Sequence, residues 1–185
     1  KMGESILQQA DYMPCSTTAF ADDKLIDRLL SVAAESGTRL YIPHGAVVGL
    51  DNLIETRDNW EQATITFRKP PASIGMPNAP QADETILFEG SVREIADMFP
   101  RNVNAMVACA LATVGLDTAR ARIIADRRQG NVLRGEFEFI GKDGSRLSIA
   151  KEEPAVGVSS PGMVSSIKGS ILRALEATSD GLCFV

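Results

Sequence analysis

Apolar and polar positions along the chain follow two alternating periods. Ala21-Asp22-Asp23 reads as a helix start, with acidic side chains at the positive end of the dipole. Leu25, Leu29 and Val32 then recur at helical spacing, and Gly37 marks the stop. Residues 39–42 read as a short buried strand ended by Pro43, and residues 45–55 as a helix. Ala63, Ile65 and Phe67 alternate with Thr64, Thr66 and Arg68, the period of a strand with one buried face. Residues 70–82, rich in Pro and Gly, predict a loop, and residues 85–88 a strand. A short helix over 92–99 is halted by Pro100. Asn102 or Asn104 is placed to cap the next helix, with Val103, Met106, Val107, Ala110, Leu111 and Val114 on one apolar face.

From Thr118 onward the pattern turns to strands. Leu133, Gly135, Phe137 and Phe139 alternate with Arg134, Glu136 and Glu138. Asp143-Gly144 signals a hairpin turn, and Leu147 and Ile149 lie on the return strand. Residues 153–160 read as a loop. Val164, Ile167, Ile171 and Leu175 share one face of a last helix, and residues 182–185 read as a closing strand. The order predicts an α/β (α+β) fold: a mixed sheet with helices packed on one face.

Composition narrows the classes. Of the 185 residues 44% are apolar, which is enough for a core, and the formal net charge is −5. An acidic chain without a basic stripe argues against a nucleic-acid partner. Arg120, Arg122, Arg127, Arg128 and Arg134 come nearest to one, but Asp126, Glu136 and Glu138 interrupt them, so they read as strand residues facing solvent. No apolar run reaches the ~18 residues of a membrane span, and the start, KMGESILQQADYM, lacks the apolar stretch of a signal peptide. The expectation is a cytoplasmic protein without a membrane partner. Cys15, Cys109 and Cys183 lack metal-ligand spacing and there is one histidine, so no metal site is expected. Cys109 falls within an apolar helix pattern and reads as core.

Four segments carry more than composition. They are Arg39-Leu40-Tyr41-Ile42-Pro43-His44-Gly45-Ala46-Val47-Val48-Gly49-Leu50-Asp51; Phe67-Arg68-Lys69-Pro70-Pro71; Phe88-Glu89-Gly90-Ser91-Val92-Arg93-Glu94; and Phe99-Pro100-Arg101-Asn102-Val103-Asn104, followed by Ile123-Ile124-Ala125-Asp126. In order and spacing they resemble the aspartate dehydrogenase family: its Pro-x-Gly-Ala loop, its "RKPP" strand end, and its "F-x-G-S-x-x-E" and "F-P-K/R-N-x-N" motifs. The resemblance implies an NAD(P)-dependent oxidoreductase acting on L-aspartate or a related amino acid. It also implies a Rossmann domain followed by an α/β substrate domain whose sheet often supports a homodimer. Residues 1–38 would then be a remnant of the Rossmann-type domain and 39–185 the substrate and dimerisation domain. The implied cofactor is NAD or NADP, and the implied partner a small-molecule substrate.

The sequence departs from the family in three places. No Gly-x-Gly-x-x-Gly occurs in it, the loop that seats a pyrophosphate at a helix N-terminus. The family's acid/base histidine, in an "N-V-H" stretch, matches Asn131-Val132-Leu133, and leucine transfers no proton. The family's "N-P-K-T-S" loop aligns loosely with Ser159-Ser160-Pro161-Gly162-Met163, without the lysine.

The candidate residues follow from the resemblance, each with a plainer alternative. His44 is a relocated acid or base, or a loop histidine without chemistry. Lys69 is a catalytic or carboxylate-binding cation, or a solvated strand end. Ser16 and Thr17, with Pro43, Gly45 and Ala46, line a nicotinamide site; alternatively, Ser16 and Thr17 close a turn. Asn102 and Asn104 bind substrate, or cap a helix. Three readings of function stay open: an aspartate dehydrogenase-like enzyme, a non-redox descendant (a cofactor-free lyase, isomerase or cyclase, or a ligand-binding protein), and an interaction module. The enzyme reading is left uncertain by Leu133.

Overall fold

The computed structural model describes residues 2–74, 82–155, 160 and 162–175. Its frame is a five-stranded sheet in the order β2-β3-β1-β4-β5. The strands are β1 (Trp60–Lys69), β2 (Glu84–Ser91), β3 (Arg120–Asp126), β4 (Val132–Gly141) and β5 (Arg146–Pro154). Central β1 pairs parallel with β3 and antiparallel with β4, so the sheet is mixed. The helices are α1 (Met2–Leu7), α2 (Asp23–Ser36), α3 (Leu50–Glu55), α4 (Val92–Met98), α5 (Asn104–Ala112) and α6 (Gly162–Ala174).

Strand alternation sorts the two faces of the sheet. Ala63, Ile65 and Phe67 of β1, Ala121 and Ile123 of β3, and Phe137 and Phe139 of β4 are buried. They form one hydrophobic cluster with Leu50 and Leu53 of α3, Val92 and Ile95 of α4, and all but one residue of the apolar run in α5. The alternate residues build ion pairs on the opposite face. Arg68 bonds Glu84 (2.8 Å) and Glu136 (3.3 Å), Arg134 bonds Glu136 (2.8 Å) and Glu152 (2.6 Å), and Arg122 pairs with Glu89. The expected fold class, a mixed sheet with helices on one face, is what forms.

Several helix ends are set by local chemistry. Asp22 accepts from the backbone N–H of Lys24 and Leu25 at the start of α2, and Gly37, at φ 67°, closes it. Ser91 and Glu94 make a reciprocal capping box at the start of α4. The N-terminal region joins the sheet side through a 3-10 turn, Thr17–Ala21. Arg93 fixes that turn by donating to the Ala21 carbonyl (2.6 Å) while pairing with Asp23 and Asp117. Thr38 Oγ1 donates to the Leu7 carbonyl (2.5 Å), linking the end of α2 to α1.

Other expectations are corrected. Residues 39–42 do not form a buried strand. Their single bridge is Leu40 to Tyr12, with Tyr12 N–H donating to Arg39 and Tyr41 N–H to Tyr12. The helix expected over 45–55 begins at Leu50, because Gly45 (φ 58°) and Gly49 (φ 73°) hold left-handed conformations. α5 is not amphipathic: Ala105 to Ala110 are all buried. Arg127 and Arg128 lie in a 3-10 turn after β3 instead of a strand. Glu153 and Pro154 belong to β5 and not to a loop, and residues 71–74 form a 3-10 turn. On α6 the expected inner face is largely outside, with Val164 72% and Leu175 70% exposed, and Ser170 buried instead. Cys109 is buried, as its pattern requires. Residues 182–185 and Cys183 lie outside the described residues.

Removing the Ser91 hydroxyl (Ser91→Ala) is expected to lower the unfolding free energy by about 1 kcal/mol, read from the urea midpoint. An unchanged midpoint would mean that the Glu94 bond to the Ser91 N–H holds the turn by itself.

Candidate active site

The C-terminal end of β1 delivers Lys69 to the helix-covered face, where it is only 5% exposed. Its ammonium donates to the side-chain carbonyl (3.2 Å) and backbone carbonyl (3.4 Å) of Asn102, and lies 5.3 Å from the Phe67 ring centroid. No carboxylate among the described residues pairs with it. Burial pushes its pKa down from 10.5 to about 8. The ammonium is thus kept from water with carbonyl oxygens as its hydrogen-bond acceptors.

Lys69 opens onto a cavity of ≈ 260 Å³. Thr17, Pro43, His44, Gly45, Ala46, Asn102 and Asn104 line it too, so one cavity gathers all the residues singled out from the sequence except Ser16. Ser16 is exposed and precedes the 3-10 turn, its carbonyl accepting from Ala19. Phe67, Leu133 and Phe137 give the cavity apolar walls.

Asn102 and Asn104 do not cap α5; the capping position is Val103, with no side-chain bond. Asn102 serves Lys69. Asn104 Oδ1 accepts from the Thr18 N–H (3.0 Å) and Oγ1 (2.6 Å), and the Asn104 carbonyl accepts from Thr17 Oγ1 (2.7 Å). With both Oδ1 lone pairs taken, Asn104 can meet a ligand only through its Nδ2 donor. Thr17 and Thr18 thus tie the N-terminal segment to the first turn of α5.

His44 sits half-buried at the cavity edge. Its backbone N–H donates to Ser170 Oγ (3.2 Å), and the Arg173 guanidinium approaches its ring at 3.0 Å from Nδ1. Burial, and then the Arg173 charge, lower its pKa, with Asp51 opposing. Both effects favour the neutral imidazole over the protonated one. Residues not anticipated from the sequence also reach the cavity, among them Arg101, Lys151 and Glu153. The hairpin turn at Asp143-Gly144 is the signal that could have found Glu153, since counting back from it pairs Glu153 with Leu133.

The sequence pattern of the aspartate dehydrogenase C-terminal domain matches residues 51–161, more than half of the chain. The chain belongs to the aspartate dehydrogenase family. It is 34% identical over 174 residues to L-aspartate dehydrogenase 1 of Bordetella pertussis, covering 90% of this chain and 67% of that protein. It is 38% identical over 128 residues to the L-aspartate dehydrogenase of Methanosarcina acetivorans, covering 63% of this chain and 46% of that one. Aspartate dehydrogenase from Thermotoga maritima has a similar solved structure, with TM-score 0.79 and 28% identity over 99% of this chain and 72% of its own. The chain thus spans between about half and two thirds of these two curated relatives.

The depressed pKa of Lys69 has a signed consequence. Below pH 8 the ammonium is charged in the folded and unfolded chain alike, and its full burial cost is felt. Between about pH 8 and 10.5 the unfolded chain holds a proton that the folded one has lost, so Lys69 makes stability rise with pH there. Lys69→Met is expected to be more stable than the parent at pH 7, by up to about 3 kcal/mol, with the gap closing toward pH 10.5. Urea unfolding of both proteins across that range measures it; a pH-independent gap would mean that Lys69 titrates normally.

Proposed function

We propose that this chain is the substrate-binding part of an NAD(P)-dependent dehydrogenase of L-aspartate or a related amino acid. The observation that carries the reading is the buried, carboxylate-free ammonium of Lys69 facing a small cavity with apolar walls. A site of that kind selects a small organic anion. The names of the relatives add L-aspartate as the anion to try first.

The cavity fits one end of the cofactor. Thr17, Pro43, Gly45 and Ala46 give it a wall of small and apolar surface suited to a planar nicotinamide ring. The pyrophosphate end needs a Gly-rich loop, which none of these 185 residues supplies. Bound there, the dinucleotide supplies the hydride acceptor. Lys69 draws a substrate carboxylate, Asn104 Nδ2 donates to ligand oxygen, and Phe67, Leu133 and Phe137 keep water away from the reacting carbon. His44 is the side chain at the cavity edge that can exchange a proton, against the opposing charge of Arg173. A cytoplasmic homodimer completes the reading.

Leu133 favours a second reading, a non-redox descendant that binds an organic anion in the same cavity without a dinucleotide. Calorimetric titration with L-aspartate and with nicotinamide mononucleotide, which carries the nicotinamide end but needs no pyrophosphate loop, separates the two. The dehydrogenase reading expects L-aspartate binding and a mononucleotide response that L-aspartate strengthens. Anion binding by a folded chain that ignores the mononucleotide would select the second reading.

Either reading requires Lys69. L-Aspartate affinity is expected to fall as pH rises through about 8, where the free ammonium is lost. Lys69→Met should weaken binding by roughly 10-fold or more. An unaltered affinity in Lys69→Met would remove the basis of both readings.

A further inference from the structure

The strand register places three unlike side chains in one row. Arg68 pairs with Arg134 and Arg134 with Glu152, so the next row on the cavity face runs Lys69, Leu133, Glu153. Leu133 and Glu153 are direct cross-strand partners, and all three line the cavity. Two strand spacings separate the ends of the row, roughly 10 Å between backbones. A cation therefore stands at one end and a carboxylate at the other, with an apolar side chain between.

Glu153 is built into this position. Its side chain is 18% exposed. Its Oε2 accepts from Ser160 Oγ (2.8 Å) and from Lys151 Nζ (3.0 Å). Its Oε1 lies so close to Gly162 that a Cβ on that residue would collide with it, so the glycine at the start of α6 makes the space the carboxylate occupies. Glu153 also has no role in the chemistry described above.

We propose that Glu153 is the receptor for the substrate's α-ammonium, complementary to the carboxylate receptor Lys69, with Leu133 as the apolar floor between them. The cavity is then matched to a small zwitterionic amino acid and not merely to an anion. Glu153 stands one strand over from position 133, where leucine can neither bond nor exchange a proton. A bound ammonium competes with Lys151 for Glu153, so Lys151 sets how firmly the amino group is held. This inference rests on the anion-binding role of Lys69 proposed above.

The test compares L-aspartate with succinate, which keeps both carboxylates and lacks the amino group, by calorimetry on the purified chain. Glu153→Gln keeps a hydrogen-bonding group for Ser160 but loses the charge. It is expected to weaken L-aspartate by about 10-fold or more while succinate binds as tightly as before, or more tightly. Gly162→Ala, which pushes the carboxylate aside without removing it, should shift the same ratio in the same direction. Equal weakening of both ligands would reduce Glu153 to a structural tie for α6 and overturn the proposal, and so would an unchanged ratio in Glu153→Gln. Failure of both ligands to bind the parent chain would instead remove the Lys69 reading, and this one with it.

Discussion

The cavity depends on the burial of α5 on every side. This helix carries almost no polar side chain after Asn104, and Ala105, Met106, Val107, Ala108, Cys109 and Ala110 are all removed from water. Its small residues let the 3-10 turn Thr17–Ala21, α4 and α3 lie close to it. Because α5 cannot turn a face outward, its first turn is fixed relative to the end of β1, and Asn102 is fixed where Lys69 ends. The same rigidity positions Asn104, to which Thr17 and Thr18 attach the N-terminal segment. A slip of this helix would undo the lysine's partners and the cavity wall together.

Charge is distributed differently on the two sides of the sheet. On the ion-paired face, Arg68, Arg134, Arg122 and their glutamates neutralise one another near solvent, where each pair contributes little by itself. On the cavity side Glu153 is paired with Lys151, but Lys69 has no carboxylate partner among the described residues. Lys69 has only carbonyl oxygens, and His44 leans on a cation instead of a carboxylate. Unbalanced charge in a low-dielectric setting is costly to the fold and valuable to a ligand of opposite sign.

The family membership and the departures from it meet at one strand pair. β4 and β5 present Leu133 and Glu153 side by side, so a leucine that removes proton chemistry from one position leaves a carboxylate on its cross-strand neighbour. The cavity gathers Lys69, the loop of Pro43, Gly45 and Ala46, and apolar walls, while Leu133 stands where the resemblance implies an acid/base histidine.

Much of this was legible in the sequence. Period-2 alternation fixed the inner and outer faces of β1 and β4, because a strand allows no other assignment once one face is buried. Asp22 and Gly37 bounded α2 through bonds that are local in the chain, and the spaced motifs gave the family and the segments that meet at the cavity. Contacts distant in the chain were not legible. Whether Asn102 and Asn104 cap a helix or serve Lys69 and Thr18 depends on partners more than thirty residues away. The exposed apolar face of α6 and the start of α3 at Leu50 were likewise decided by what lies beside them and by positive-φ glycines. Local order is written by neighbours in sequence, whereas the desolvation of Lys69 exists only once segments distant in the chain have closed around it.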